Sequence, residues 1–506
     1  MTIELNGESL TTTDLVRVAR DMEKIEISSE SLEKIKRSRE VVETMFRKGE
    51  TAYGTTTGIG ELASVLLTEE QAKEFSKYMI YSHAGGCGEP ASIEDSRAAI
   101  VSRINVLCKG VSGVRLEVVE FLTEMINRCV TPVMCKTSVG ACGDLAPLAQ
   151  AMLVPMGEGE AFYNGKKMTG LAALTAAGLK PINYGIRDGL AVINGSNLIT
   201  GMASLEVYDS DILIKTSEIA AAMTFEALKA VTMAFEDEIL RLRGFTGGIE
   251  CAENIRRLIE GSKILIKQER VQDAYSIRST PQVVGTIKDS LNYTRKQVEI
   301  ELNAGADNPL FVPKENGYRY LAGANFQGTP IALPLEMLGT GIAILSVISE
   351  RRINRLLNPN LNVGLPGFLI RGAGLFSGIM IPQYTAASLV CESRMLCTPT
   401  AIGSIPTAAD QEDFVSMGTN TAIKTRKIIN NTSYVIAIEL LAAAQALDLR
   451  GGTPGRGVKA AYDLIRKYVK FLDKDRPLYP DIEAIAKLIR EGEILKAVEK
   501  EIGELK

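Results

Sequence analysis

The sequence predicts a mainly α protein, a bundle of long central helices with an N-terminal helical and loop region at one end that carries the glycine-bearing loops. Three observations predict it. Helix-compatible runs are long and nearly unbroken, period-two apolar alternation is scarce, and glycine-bearing loops crowd the part of the chain before residue 200.

The first strong helix signal is "LTEEQAKEFSKYMIYSHA". Thr68 and Gln71 there match a capping box, and Ala72, Phe75, Met79 and His83 recur at three- and four-residue steps on one face, which should turn inward. Longer runs follow at 197–243, 284–303, 330–357 and 411–449, with shorter ones at 459–470 and 482–501. Gly451, Gly452 and Pro454 in "LRGGTPGRG" stop one of them, because glycine enters the left-handed region easily and proline has no amide hydrogen to donate. No repeat or low-complexity linker is visible. A soft division falls near Gly195, giving an N-terminal region 1–195 with the loops and a long-helix bundle 196–506, together one integrated catalytic unit.

Composition excludes several function classes. Of 506 residues, 46% are hydrophobic and 23% charged, which fits a globular chain and speaks against disorder. The formal net charge of -4 and the lack of a basic run argue against nucleic acid. The opening "MTIELNGESL" has no apolar block of the secretory kind, so a cytoplasmic protein is expected. The apolar stretch "PIALPLEMLGTGIAILSVIS" includes Pro334 and Glu336 and runs into "ERR", which suits a buried helix better than a bilayer span. Eight cysteines at irregular spacing suggest no disulfide framework, and all but Cys142 read as reduced, mostly buried apolar residues. With His83 as the single histidine, no zinc site of the usual spacing exists.

Three glycine loops could carry chemistry: "AYGTTTGIGELA", "SHAGGCGEPA" and "SVGACGDLAP". The first two satisfy GxGxxA, yet neither follows an apolar strand or sits in a βαβ unit, so dinucleotide binding is rejected. The third offers backbone chemistry. If the Gly143 nitrogen attacks the Ala141 carbonyl carbon, a five-membered ring closes, and the missing Cβ at Gly143 eases that approach. Loss of water, and of the leaving group on Cβ of Cys142, would leave a methylidene conjugated to an imidazolone. Asp144 next in line could cap a helix with Pro147 in its first turn, aiming a positive helix end at the ring.

The motifs "YGTTTGIGELAS", "SVGACGDLAPLAQ", "NGSNL", "VQDAYSIRSTPQVVG", "GANFQGTP", "SERRINRLLNP", "GLPGFL" and "DQEDFVSM" occur in this order over nearly the whole chain. The sequence thereby resembles the ammonia-lyase and 2,3-aminomutase superfamily that uses 4-methylideneimidazole-5-one (MIO), with histidine ammonia-lyases the nearest members. The resemblance implies that MIO forms autocatalytically from Ala141, Cys142 and Gly143, without metal or nucleotide. The family usually has serine where this chain has Cys142; a thiol leaves more readily than a hydroxyl, so loss of hydrogen sulfide is expected.

The resemblance also assigns roles. Tyr53 matches the tyrosine that removes the β-proton, for which a lowered pKa is expected from nearby dipoles. Arg278 matches the residue that grips the substrate carboxylate. Asn194, Gln272, Tyr275 and Asn325 match polar positions around the electrophile and the amino-acid end of the substrate, with Phe326, Met380 and Gln383 as wall residues. His83 and Glu412 match positions that histidine lyases place near the imidazole, whereas Gln327, Asp410 and Phe414 depart from the histidine-lyase pattern. Conversion of L-histidine to urocanate is therefore the first expectation. A tyrosine or phenylalanine lyase or aminomutase is the alternative, and a family member that only binds amino acids is the second. A homotetramer with sites shared between chains is implied as well.

Overall fold

The computed structural model describes residues 2–265 and 270–506. Among them are nineteen α-helices and only seven short strands, and the chain is 59% helical, as the sequence predicts. Two compact units interleave along the chain: residues 1–208, 294–336 and 399–423 form one, and 209–293, 337–398 and 424–506 the other.

The first unit carries all three glycine loops. Thr68 and Gln71 form the expected capping box on the Glu69–His83 helix, whose buried side chains are Ala72, Ser76, Met79 and Ile80. Phe75 and His83 are half-buried. The inward stripe is thus rotated from the expected one, leaving His83 on its margin rather than in the core. The Ile93–Cys108 helix is buried on every face from Asp95 onward, including Arg97 and Arg103. A buried guanidinium is costly unless every donor is met. Arg97 meets this by donating to the carbonyls of Val18 and Ile126. Two small sheets complete the frame of this unit near the loops: Val130–Pro132, Glu160–Tyr163 and Lys166–Thr169 pair antiparallel in that order, and Leu310–Lys314 pairs antiparallel with Gly317–Leu321.

In the second unit, polar side chains join helix to helix. Glu439 accepts from Thr224 at 3.0 Å, from Ser349 at 2.6 Å and from both Nε and Nη2 of Arg352 at 2.5 and 2.8 Å. These residues come from the helices Asn197–Ala227, Thr329–Leu357 and Gly418–Arg450. By length and composition the last two could cross a membrane, but 67% and 83% of their most apolar windows are buried inside the molecule.

Helix boundaries differ from the sequence expectation at three places. The run 197–243 stops at Ala227, because Lys229 takes φ +51°, a left-handed turn that a lysine does not advertise. The run 411–449 starts as a helix only at Gly418, after Met417 at φ +51°; the preceding residues are loop. The run 482–501 is two helices, Tyr479–Arg490 and Glu493–Ile502, parted by Gly492 at φ +69°. Gly451 and Gly452, at φ +69° and +92°, end the Gly418–Arg450 helix as predicted. All eight cysteines are free, but of the seven expected to be mostly buried only Cys108, Cys135 and Cys251 are, and Cys87 and Cys391 are exposed.

Candidate active site

The site is built around the segment 140–144 of the first unit. Gly140 and Gly143 both have positive φ, +71° and +76°. A Cβ on Gly143 would lie 2.0 Å from the Gly195 carbonyl carbon, so no other residue fits where these two strands of backbone meet. Gly143 bridges Gly195, and the Asp144 N–H donates to the Gly195 carbonyl at 2.9 Å.

Asp144 departs from its expected role. It stands at the N-terminus of the Leu145–Met152 helix, with Pro147 in the first turn, but its side chain does not cap that helix. Its carboxylate accepts instead from the Ile199 N–H at 3.0 Å and the Thr419 hydroxyl at 2.7 Å, serving the first turns of two other helices. Burial pushes its pKa up, and these bonds act against that rise.

Glu412 reaches the same segment. The Cys142 thiol donates to Glu412 Oε1 at 2.9 Å, while Glu412 Oε2 accepts from the Thr407 hydroxyl at 3.0 Å. The Thr407–Glu412 turn is closed by reciprocal backbone bonds and runs through Ala408, Ala409 and Asp410, all at positive φ. Non-glycine residues held there cost energy, and such strain is common where a side chain must be aimed. Burial, and then the Glu412 carboxylate, push the Cys142 thiol pKa well up, so the thiol stays protonated and donating.

Tyr53 and His83 complete this cluster. The Gly60 N–H donates to the Tyr53 hydroxyl at 2.9 Å, and the Tyr53 N–H donates to the Tyr320 hydroxyl at 3.0 Å. The expected lowering of the Tyr53 pKa is not what the surroundings give. Burial raises it first, the Gly60 bond lowers it, the neighbouring Cys142 and Glu412 raise it, and Arg187 lowers it. The net shift is upward. His83 Nδ1 lies 2.8 Å from the Met79 carbonyl, which can only accept, so the ring carries its proton on Nδ1 and presents Nε2 as an acceptor. Burial lowers the His83 pKa, against the Met79 bond and the Glu412 charge.

Asn194 forms the other side. Its Nδ2 donates to the Asn308 carbonyl at 2.7 Å, and its Oδ1 is buried without a partner. Arg103, fully buried, holds the backbone here: it donates to the carbonyls of Ala191, Asn194 and Ala306 and pairs with Asp307 at 3.1 Å. Asp307 in turn pairs with Arg187 at 2.9 Å. Asn325 donates to the Gly305 carbonyl at 3.3 Å and is exposed, and the Phe326 carbonyl accepts from Ser196 at 2.6 Å. Gln327 accepts from the N–H and hydroxyl of Thr329, which gives it a helix-start role.

Gln272, Tyr275 and Arg278 lie in the second unit. The Arg278 guanidinium stacks on the Tyr275 ring at 4.6 Å, with its Nε buried and unpartnered, and Tyr275 is 72% exposed. Met380 is half-buried there, and Gln383 donates to Asn354 at 3.0 Å. Sequence reasoning missed Arg103, Thr407 and Tyr320. An arginine inside the apolar run "AAIVSRINVLC" was a readable sign of a buried donor; the other two left none.

A helical chain with this loop and this cluster falls in the class of ammonia-lyases and aminomutases. Residues 10–467 match the family model described as aromatic amino acid lyase. A protein named histidine ammonia-lyase from Natranaerobius thermophilus is 45% identical over 508 residues, covering 100% of both chains. The solved tyrosine aminomutase of Streptomyces globisporus superposes with a TM-score of 0.96 at 34% identity over 100% of both chains. The histidine ammonia-lyase of Trypanosoma cruzi does so with 0.92 at 35%, over 99% of this chain and 96% of that one. The chain belongs to the aromatic amino acid lyase family and is a carbon–nitrogen lyase.

The residues present fit the MIO group that the resemblance implies. Gly143 sits where a Cβ is forbidden, and the buried, unpartnered Asn194 Oδ1 is a polar atom awaiting a donor.

Proposed function

We propose that the protein eliminates ammonia from L-histidine to give urocanate, using MIO formed from Ala141, Cys142 and Gly143. One observation carries the choice of substrate. His83 Nε2 and the Glu412 carboxylate are both acceptors, and they lie close enough for the Glu412 charge to act on the His83 pKa. Two acceptors suit a ring with two N–H donors, as in imidazolium; a phenol offers one donor and a phenyl ring none. Relatives named histidine ammonia-lyase, 41–45% identical along the full chain, support the same choice.

When formed, the group supplies an electrophilic alkene that makes the amine a better leaving group. The chain's own residues supply the rest. Tyr53 Oη takes the β-proton, with the Gly60 N–H stabilising the phenolate against the cost of burial. Asn194, Gln272, Tyr275 and Asn325 bind polar groups at the amino-acid end, Arg278 grips the carboxylate with two parallel N–H donors, and Phe326 walls the side chain. Exposed Tyr275 and the unpartnered Arg278 Nε support the reading that each site is completed by other chains of a homotetramer. The seven free thiols other than Cys142 support a cytoplasmic location.

The structural likeness to tyrosine aminomutase, with Gln327 at the position where histidine lyases usually carry histidine, favours a second reading: an aminomutase acting on tyrosine. Supplying each amino acid separately, while following absorbance of the conjugated acid and free ammonia, separates the two. Histidine should yield urocanate and ammonia in equal amounts. Turnover of tyrosine to a β-amino acid with no response to histidine would overturn the first reading.

A further inference from the structure

We propose that Glu412 also expels the sulfur of Cys142 during cofactor formation, and that this departure is what frees its carboxylate for the substrate. The inference rests on the reading above. In the linear chain Glu412 Oε1 is engaged by the Cys142 thiol at 2.9 Å, and Oε2 by Thr407 at 3.0 Å. While the sulfur is in place each oxygen already accepts one hydrogen bond, and the donor on Oε1 is the group that is to leave.

The bonds balance without an outside reagent. Ring closure joins the Gly143 nitrogen to the Ala141 carbonyl carbon and releases that oxygen as water. The second step breaks the Cβ–Sγ bond of Cys142, and the electron pair of its Cα–H bond becomes the new Cα=Cβ double bond. Sγ is two bonds from Cα, so the carboxylate in contact with Sγ is held at the residue whose Cα–H and Cβ–Sγ bonds both break. Glu412 takes the Cα proton and delivers it to the departing hydrosulfide, which leaves as hydrogen sulfide. The raised pKa of the thiol keeps its own proton on sulfur, so the leaving group never has to depart as a dianion.

Thr407 acts through Glu412 as a positioning residue. Its hydroxyl and the reciprocal backbone bonds of the 407–412 turn fix the carboxylate, and three consecutive left-handed residues in that turn show how much backbone energy is committed to aiming it. Strain of this kind serves a second purpose after maturation, when Oε1 has lost its thiol donor and is presented to the ring of the substrate.

The test is a time course of intact mass and of released sulfide, begun on freshly synthesised chains of the wild type, Glu412→Ala, Glu412→Asp and Thr407→Ala. The wild type should lose one water and one hydrogen sulfide. Glu412→Ala should lose hydrogen sulfide roughly 100-fold more slowly, pausing at the mass lighter by water alone, with Glu412→Asp restoring part of the rate. Thr407→Ala, which keeps the carboxylate, should be slowed less. Circular dichroism confirms that each variant has folded, since a merely structural defect would not stop the reaction between two mass losses. A mature wild type beside an equally fast Glu412→Ala overturns this inference alone. A wild type that keeps its full sequence mass overturns the MIO reading and this inference with it.

Discussion

Two buried arginines, one in each unit, spend their donors differently. Arg352 gives its guanidinium to one carboxylate, Glu439, and so joins two helices, with Thr224 of a third on the same acid. Arg103 gives most of its donors to backbone carbonyls, those of Ala191, Asn194 and Ala306, and pairs with Asp307 besides. The first arrangement fixes how helices register. The second shapes irregular backbone, and the backbone it shapes is the Asn194–Gly195 turn that presses on Gly143. Charge is buried in one unit to order regular structure and in the other to hold a loop that regular structure could not supply.

The largest effect expected from breaking the loop side is on chemistry. Tyr53→Phe removes the proposed base while sparing the arginine centre, and should lower kcat by roughly 10²–10⁴-fold while the variant still loses one water and one hydrogen sulfide on maturation. Folding should suffer by only about 1–3 kcal/mol, the cost of leaving the half-buried Gly60 N–H without its acceptor. A Tyr53→Phe protein that turns over normally would remove Tyr53 from the mechanism.

The arginines themselves sharpen the comparison. Arg352→Met leaves the buried Glu439 carboxylate without a cation, Arg103→Met leaves three buried carbonyls without a donor while Asp307 keeps Arg187, and each should cost about 3–5 kcal/mol in urea unfolding. The double replacements should diverge. Arg352→Met with Glu439→Leu should recover most of the loss, because an apolar pair can replace an ion pair between helices. Arg103→Met with Asp307→Leu should not, because the carbonyls of Ala191, Asn194 and Ala306 remain buried without donors and the buried Arg187 loses its carboxylate. Equal recovery in both pairs would show that Arg103 is only an ion-pair partner.

The same contrast explains what the sequence could reveal. Long helices are legible because apolar periodicity accumulates over many residues, and Gly451 and Gly452 mark a stop that their chemistry requires. The stop at Lys229 and the start after Met417 were not legible: left-handed turns at ordinary residues are imposed by packing and leave no local mark. At the site, Gly143 announced itself through its missing Cβ and its neighbours. The contact between Cys142 and Glu412, separated by 270 positions, could not be read from either segment alone. The direction of the Tyr53 shift failed for a related reason, since burial is a property of the fold and outweighs one nearby N–H.

The smallest effect should come from two carboxyls that burial perturbs most, one per unit. Burial pushes Glu226 in the second unit up to about 7, with bonds from Ser262 and the Gly455 N–H acting against it, and pushes Glu301 in the first unit up to about 7 with nothing opposing. A folded pKa above the unfolded value means that the folded chain binds more protons between them. The stabilisation is full below the ordinary carboxyl pKa and is lost as pH rises towards 7. Over that window each group should cost about 3 kcal/mol at most. Glu226→Gln keeps an acceptor for the Gly455 N–H at 2.8 Å while removing the charge, so it should flatten the fall in urea midpoint between pH 5 and pH 8. Glu301→Gln should flatten it as well, and the two should add because the sites share no partner. An unchanged pH slope in the double variant would mean that both carboxyls ionise in the folded protein as freely as in the unfolded chain.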